Sequence, residues 1–285
     1  MHCYLCDSQV FSKMPGKVRD RETLSILRCT SCGLVFLDNF SHVNSNFYDH
    51  EYTAENHGDH DWDAFLNECS KDDQRRFSQL QPLIVNRTFL DVGCGAGGVL
   101  LRAKKVTKHA TGVEPQLVWR NALTSAGLGV VASLSEVENS SQNVISLFHV
   151  LEHIADPLPF IQEILKKAAT GGRLVIEVPN ADDALLSLYE NRPFSEFTYW
   201  SPHLFLYNHA TLTRLLEKAG IGRNQIAISQ YQRYPLSNHL MWLAQGRPGG
   251  HIQWSFLDSN ALDQAYAAQL ASLGRCDTLI AWVSL

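Results

Sequence analysis

Long apolar runs are missing from this 285-residue chain. Nothing in it approaches the roughly 20 residues that cross a bilayer, and the first ten residues hold two cysteines and an Asp where a secretory leader would hold an apolar core. The expectation is a cytoplasmic protein without a membrane span. Runs of Lys and Arg are missing too. With 24 basic against 29 acidic side chains and a formal net charge of −5, there is no field to draw in a polyphosphate, and no nucleic-acid partner is expected. A bias toward disorder is equally absent, since 45% hydrophobic and 19% charged residues make an ordinary globular composition. No internal repeat is found. Complete disulfide pairing is ruled out by arithmetic, because the seven cysteines are an odd number. Four form two tight pairs and three (Cys69, Cys94 and Cys276) are scattered, which fits reduced thiols plus a metal.

The tight pairs are Cys3-x-x-Cys6 and Cys29-x-x-Cys32. Each Cys-x-x-Cys lets one turn present two sulfurs to one ion, and zinc favours four thiolates in a tetrahedron. Gly33, directly after the second pair, suits the backbone of such a knuckle. A closed four-sulfur shell leaves no position for water, so Cys3, Cys6, Cys29 and Cys32 are read as ligands of a structural Zn2+ ion. A thiol-exchange pair would follow a strand in a thioredoxin-like unit, and none is seen here; His2 is read as a spectator. Residues 1–38 are therefore expected to form a self-contained zinc ribbon. Residues 39–71, rich in Asn, His, Asp and Tyr, show little periodicity and are read as a linker or lid.

From residue 72 onward the pattern is α/β. An amphipathic helix is expected over 76–84, and short apolar strands over 88–92, 110–113, 128–132, 144–149 and 173–178 alternate with helices over 97–106, 116–125 and 158–167. The Gly171-Gly172 pair reads as a turn ahead of its strand. Such alternation implies a mainly parallel sheet covered on both faces. A helix over 211–219 and strands over 225–230 and 277–283 follow. The last two strands are separated by a segment, 232–276, too long for a hairpin, read as an insertion that caps the acceptor. The main domain is thus 72–285.

Three motifs carry the chemistry. Leu90-Asp91-Val92-Gly93-Cys94-Gly95-Ala96-Gly97 is a glycine turn between a buried strand and a helix, where a β-carbon would block close approach of a ligand. Alone it also suits NAD, FAD or a nucleotide. Asp91 places an anion beside the turn, which favours a cationic ligand over a pyrophosphate. Val113-Glu114-Pro115 ends the next strand with a carboxylate able to accept both ribose hydroxyls. The third is Phe148-His149-Val150-Leu151-Glu152-His153-Ile154-Ala155-Asp156-Pro157. In order and spacing the three together resemble the class I S-adenosylmethionine-dependent methyltransferases over roughly residues 72–231. The resemblance implies a Rossmann-like seven-stranded sheet in the order 3-2-1-4-5-7-6, with strand 7 antiparallel and S-adenosylmethionine across the ends of strands 1, 2 and 4. It would place Asp91, Gly93, Cys94, Gly95 and Gly97 on the methionine and ribose side and Glu114 on the ribose hydroxyls. Pro115 or Gln116 would stand beside the adenine, and His149 and Val150 beneath the sulfonium. The family's frequent Asp after strand 3 is replaced by Ala132-Ser133-Leu134. Tyr48 and Tyr52 resemble an aromatic lid over the cofactor.

The ribbon, the Tyr-rich segment and the methyltransferase core together are similar to a bacterial group that includes deoxysugar and surface-polysaccharide methyltransferases. That resemblance implies a small polar acceptor, a hydroxyl of a nucleotide-linked or other activated sugar, with nitrogen or carbon as alternatives. Methyl transfer to oxygen needs alignment and removal of a proton, for which histidine is suited. His203, in Tyr199-Trp200-Ser201-Pro202-His203, is the first candidate base, with Tyr199 and Glu196 beside it; His149 is the next, and His153 is read as structural. Arg233 and Arg247 are candidate phosphate holders in the insertion. Two other classes compete. An NAD-linked oxidoreductase is opposed by Asp91 and the segment 149–152, and a non-enzymatic binding module by the intact glycine loop and Glu114.

Overall fold

The computed structural model describes residues 1–43 and 61–285. At its start the two cysteine turns bracket three short strands, β1 (Phe11–Lys13), β2 (Ile26–Cys29) and β3 (Val35–Leu37). The chain then enters α1 (Trp62–Ile84), whose first turn is capped by Asp61 accepting the Ala64 N–H at 3.0 Å. The helix expected from residue 76 thus begins at Trp62, and its first ten residues come from the stretch read as a linker. That stretch is polar, so its sequence carries no apolar stripe strong enough to mark a helix.

The alternating region follows the expected grammar. Strands β4 (Thr88–Val92), β5 (His109–Val113), β6 (Gly129–Val131), β7 (Gln142–Phe148) and β8 (Ala168–Pro179) alternate with helices α2 (Gly98–Ala103), α3 (Leu117–Ser125) and α4 (Pro157–Lys167). Short helices α5 (Ala184–Ser187) and α6 (Arg192–Thr198) lead to a two-residue strand, β9 (Phe205–Leu206), and to α7 (His209–Lys218). The chain closes with β10 (Ile226–Tyr231), helices α8 (Leu236–Gln245), α9 (Gly250–Gln253) and α10 (Asn260–Leu273), and β11 (Thr278–Ser284).

Seven strands make one sheet in the order β10-β11-β8-β7-β4-β5-β6. Counted within the sheet this is 6-7-5-4-1-2-3, the expected Rossmann-like methyltransferase order, and β11 runs antiparallel to both neighbours. Helices α8 to α10 lie between the last two strands, as expected for the insertion. Gly171 and Gly172 do not make a separate turn before β8. They lie within it, in a bulge where the partner of Gln142 is Ala168 and that of Val144 is Arg173.

The N-terminal region is joined to this body through a second sheet, β1-β2-β3-β9. Its fourth strand is borrowed: Val35 pairs with Leu206 and Phe36 with Phe205. Residues 1–38, read from the sequence as self-contained, thus share one apolar core with the body, in which Phe36 and Phe205 are each 1% exposed or less. Tyr4 and Phe40 stack and both meet Phe205 edge-on.

Candidate active site

The glycine turn sits where the grammar places it, at the carboxyl ends of parallel strands. Gly93, Gly95 and Gly97 have φ of 69°, 52° and 76°, the left-handed region that favours glycine. At Gly93 a β-carbon would stand 2.5 Å from Val150 Cγ2. Glu114 ties the turn to the end of β5: its carboxylate accepts the Gly95 N–H at 2.9 Å and the Gln116 N–H at 2.8 Å. Asp91 lies beneath, paired across to β7, where Ser146 Oγ donates to it at 2.6 Å. Burial pushes its carboxyl up to about 7 against that hydrogen bond.

These elements wall a cavity of about 600 Å³, within the usual size of a small-ligand site. Gly93, Gly95, Glu114, Pro115, His149 and Val150 line it, together with Gln116 and Ala132 to Ser135. Asp91, Cys94 and Gly97 are not among its lining residues; the Cys94 thiol is turned under the loop toward Gly112. Tyr48 and Tyr52 lie outside the described residues. Among the described residues, two aromatics that the motifs did not flag are found here: Phe65 lines the cavity and meets Trp119 at 5.2 Å, and Trp62 Nε1 donates to the Ala96 carbonyl at 2.9 Å. Their i, i+3 spacing at the start of α1 was the available signal.

His149 is the crossing point. It lines the 600 Å³ cavity and also a second one of about 230 Å³. Its Nδ1 meets Glu152 Oε1 at 3.0 Å and its Nε2 meets Glu177 Oε1 at 3.4 Å. Burial lowers the pKa of this imidazole, but the hydrogen bonds to Glu152 and Glu177 outweigh it, and the net shift is upward. Glu177 is fully buried and receives Arg75 at 2.8 and 2.9 Å and Arg76 at 2.7 and 3.0 Å. A Glu inside the apolar strand 173–178 is the sequence signal for this brace.

The smaller cavity is closed by the insertion. His203, Asp183, Asp277, Asn238 and Trp242 are in its wall. His203 reaches it, but burial and the neighbouring His153 push its imidazole down to about 3, so it stays neutral and holds a proton too weakly to serve as the base at neutral pH. Tyr199 does not reach it. Its ring is buried and lines a separate cavity of about 600 Å³ against Met14, Pro15 and Arg28 of the ribbon region, because α6 ends at Thr198 and the chain turns there toward β9. Arg233 lines the smaller cavity but is held by Asp72, at 2.9 Å through Nε. Arg247 bonds Gln245 and Gln253 outside it.

The four ribbon cysteines converge: Cys3 meets Cys32 and Cys6 meets Cys29 at 3.5 Å, and all four sulfurs lie within 4.8 Å of one another. Zinc–sulfur bonds of about 2.3 Å set tetrahedral sulfurs about 3.8 Å apart. Gly33, at φ 84°, donates its N–H to the Cys29 carbonyl at 2.9 Å.

Comparison with known proteins points one way. A protein family described as a methyltransferase domain matches residues 54–221, more than half of the chain. The chain is 30% identical over 108 residues to a ubiquinone biosynthesis O-methyltransferase of Serratia proteamaculans, covering 34% of this chain and 44% of that protein. It is 29% identical over 102 residues to ajmaline N-methyltransferase of Rauvolfia serpentina, covering 32% and 35%. It thus spans less than half the length of these curated relatives. Among solved structures, a SAM-dependent methyltransferase of Archaeoglobus fulgidus superposes with a TM-score of 0.52 at 19% identity, covering 78% of this chain and 99% of that one. Phosphoethanolamine N-methyltransferase 2 of Haemonchus contortus gives 0.53 at 14%, covering 88% and 62%. At these identities the structural likeness is one of fold.

Proposed function

This chain belongs to the methyltransferase-domain family, and on that premise we propose that it transfers a methyl group from S-adenosylmethionine to a hydroxyl of a small polar acceptor, a sugar unit or similar polyol. The carrying observation is His149, which lines the cofactor-sized cavity and the smaller cavity at once. The larger cavity suits the cofactor. The buried Gln116 Oε1 there has no hydrogen-bond partner among the described residues, an acceptor for an adenine amino group. An ionised carboxylate offers about four acceptor sites, so Glu114 keeps room for ribose hydroxyls beside its two backbone bonds. Asp91, poised near neutrality beneath the glycine turn, favours a cationic ligand.

When bound, S-adenosylmethionine supplies a methyl group on positively charged sulfur, ready for in-line attack. The protein's part is to aim the acceptor oxygen and take its proton. His149 is the base in this reading, with Glu152 fixing its ring through Nδ1. With the cofactor bound, the acceptor oxygen would be aimed at its methyl group and the hydroxyl proton would go to His149.

The acceptor cavity argues for a neutral polyol over an amine. Burial, with Asp277 adding to it, pushes Asp183 up to about 8, so at neutral pH it is a hydrogen-bond donor. Asp277 already accepts from Arg233 N–H at 3.0 Å, Gln232 at 3.0 Å and Thr278 at 2.7 Å. Neither carboxyl is a spare counter-ion for an ammonium. At about 230 Å³ the cavity takes one ring, below the range for larger ligands. A nucleotide carrier would stay outside it, and Arg233 and Arg247 do not furnish a phosphate seat within. The four thiolates at the N-terminus are assigned in this proposal to one structural Zn2+ ion.

Calorimetric titration tests the reading, with S-adenosylmethionine and its demethylated product as ligands and NADH as control. Binding of both sulfur compounds, lost in Glu114→Ala, supports it and opens a screen of sugars. Binding of NADH alone, or of nothing, overturns it.

A further inference from the structure

Beside His149, and sharing Glu152 with it, lies a second chemical cluster. One ligand atom each from Glu152, His153 and His203 lie within 4.8 Å of one another. We propose that these three side chains form a site for one divalent first-row metal ion, set in the wall between the two cavities. His153 lines the larger cavity and His203 the smaller one.

The backbone builds the cluster on purpose-made supports. Glu152 and His153 stand on a single 3-10 turn, Leu151–His153, that follows β7. His203 arrives from the far side, on the segment before β9. The two segments are tied by the Leu204 N–H to the Glu152 carbonyl at 2.8 Å, and the His203 turn is closed by its own N–H on the Trp200 carbonyl at 2.9 Å.

Packed histidine rings beside an acid are common, and His153 and His203 do meet edge-on at 5.0 Å. Glu152 separates the two readings. It is 0% exposed, its Oε1 faces His149, and its Oε2 has no hydrogen-bond partner among the described residues. A buried carboxylate oxygen left without a donor is costly, and a cation beside two imidazoles removes that cost. The outer contacts also have the form of a metal site. Ligating groups are oriented by hydrogen bonds on their far side; here Glu152 is held by His149, and His153 bonds to Pro202, which, lacking an N–H, can offer only its carbonyl.

Two imidazoles and one carboxylate offer nitrogen and oxygen donors to a divalent first-row ion, Mn2+ included, and leave positions open for other ligands. Metal–ligand distances of about 2.1 Å place ligand atoms about 3.0–3.4 Å apart, so the side chains need draw together by only about 1.5 Å. The ion's service to catalysis rests on the methyl-transfer reading above. As a Lewis acid it would hold the acceptor oxygen and ease loss of its proton to His149.

Manganese binding to the full chain, its cysteine cluster loaded with zinc, tests the site. Mn2+ favours oxygen and nitrogen donors over thiolates, so the cysteine cluster does not compete. The expected result is one Mn2+ per chain by electron paramagnetic resonance, with imidazole nitrogen couplings in the pulsed spectrum of the unmodified protein. In His203→Ala the affinity falls at least tenfold. Absence of bound Mn2+, a bound ion without nitrogen couplings, or unchanged affinity in His203→Ala overturns the site. S-adenosylmethionine titrated into the same sample reports on the methyl-transfer reading separately: a chain that binds the cofactor but no Mn2+ loses only the metal site.

Discussion

Glu177 offers the sharpest energetic test of the site's construction. Its carboxylate, 0% exposed in β8, takes four hydrogen bonds of 2.7 to 3.0 Å from Arg75 and Arg76. Glu177→Gln keeps the shape and removes the charge, leaving two guanidinium groups, themselves only 11% and 12% exposed, with only the longer contacts to Asp72 and Asp73 at 3.2 and 3.7 Å as counter-ions. Breaking a buried ion pair from one side costs about 3–5 kcal/mol, a large share of the roughly 5–15 kcal/mol that holds a protein folded. At about 2–4 °C per kcal/mol for larger domains, the melting temperature falls by about 6–20 °C in scanning calorimetry. A loss under about 1 kcal/mol in urea unfolding would refute the reasoning, since that is the worth of a solvated surface pair. Acid provides a second reading with a definite sign. Burial raises the Glu177 pKa, but His149 and the two arginines outweigh it and hold it well below the ordinary 4.5. The native state therefore binds fewer protons than the unfolded chain below that value. This stability is complete above pH 4.5 and drains away as pH falls through the folded pKa. Glu177→Gln flattens that acid limb.

Four further outcomes follow from the same geometry. If His149 is the base, methyl transfer rises with pH through a value above 6.5, the upward direction set by Glu152 and Glu177 against burial, and His149→Gln removes that limb with a loss of about 10²–10⁴ in rate, read from initial rates across pH. Gly93→Ala, at φ 69° and 2.5 Å from Val150 Cγ2, costs about 1–2 kcal/mol in backbone conformation alone and weakens cofactor binding in calorimetry. If the four cysteines hold zinc as proposed, a chelator frees β3 from β9, so hydrogen exchange at Phe205 and Leu206 speeds up along with that of β1 to β3. Tyr199→Phe leaves the rate within about twofold, because its ring faces a different cavity, and a measured kcat checks it.

What the sequence disclosed was chemistry that is local in the chain. The glycine turn, Glu114 and the segment around His149 each stand within a few residues of a strand end, so order and spacing were enough to place them on one edge of one sheet. Long-range partners left no such trace. Arg233 looked like a phosphate ligand because its counter-ion, Asp72, is 161 residues away. Tyr199 and His203 looked equivalent because they stand four positions apart, yet the turn before β9 sends one ring toward the N-terminal region and the other toward the smaller cavity. A two-residue strand such as β9 has no periodicity to read, and with it went the dependence of the body on residues 1–38.

His149 shows what this placement costs and why it is kept. Its φ is 56°, a left-handed conformation that disfavours a side chain by about 1–2 kcal/mol and that glycine would adopt without strain. The surroundings over-determine it: the backbone N–H donates to the Glu177 carbonyl at 2.9 Å, and the ring is gripped by Glu152 at 3.0 Å. Strain held in place by converging contacts marks a position whose side chain has a task. The turn needs only a residue that tolerates positive φ; the imidazole is surplus to the fold. Among the described residues it is the one group that lines both cavities, between two carboxylates that tune its proton, and that surplus is the physical case for proposing the proton transfer there.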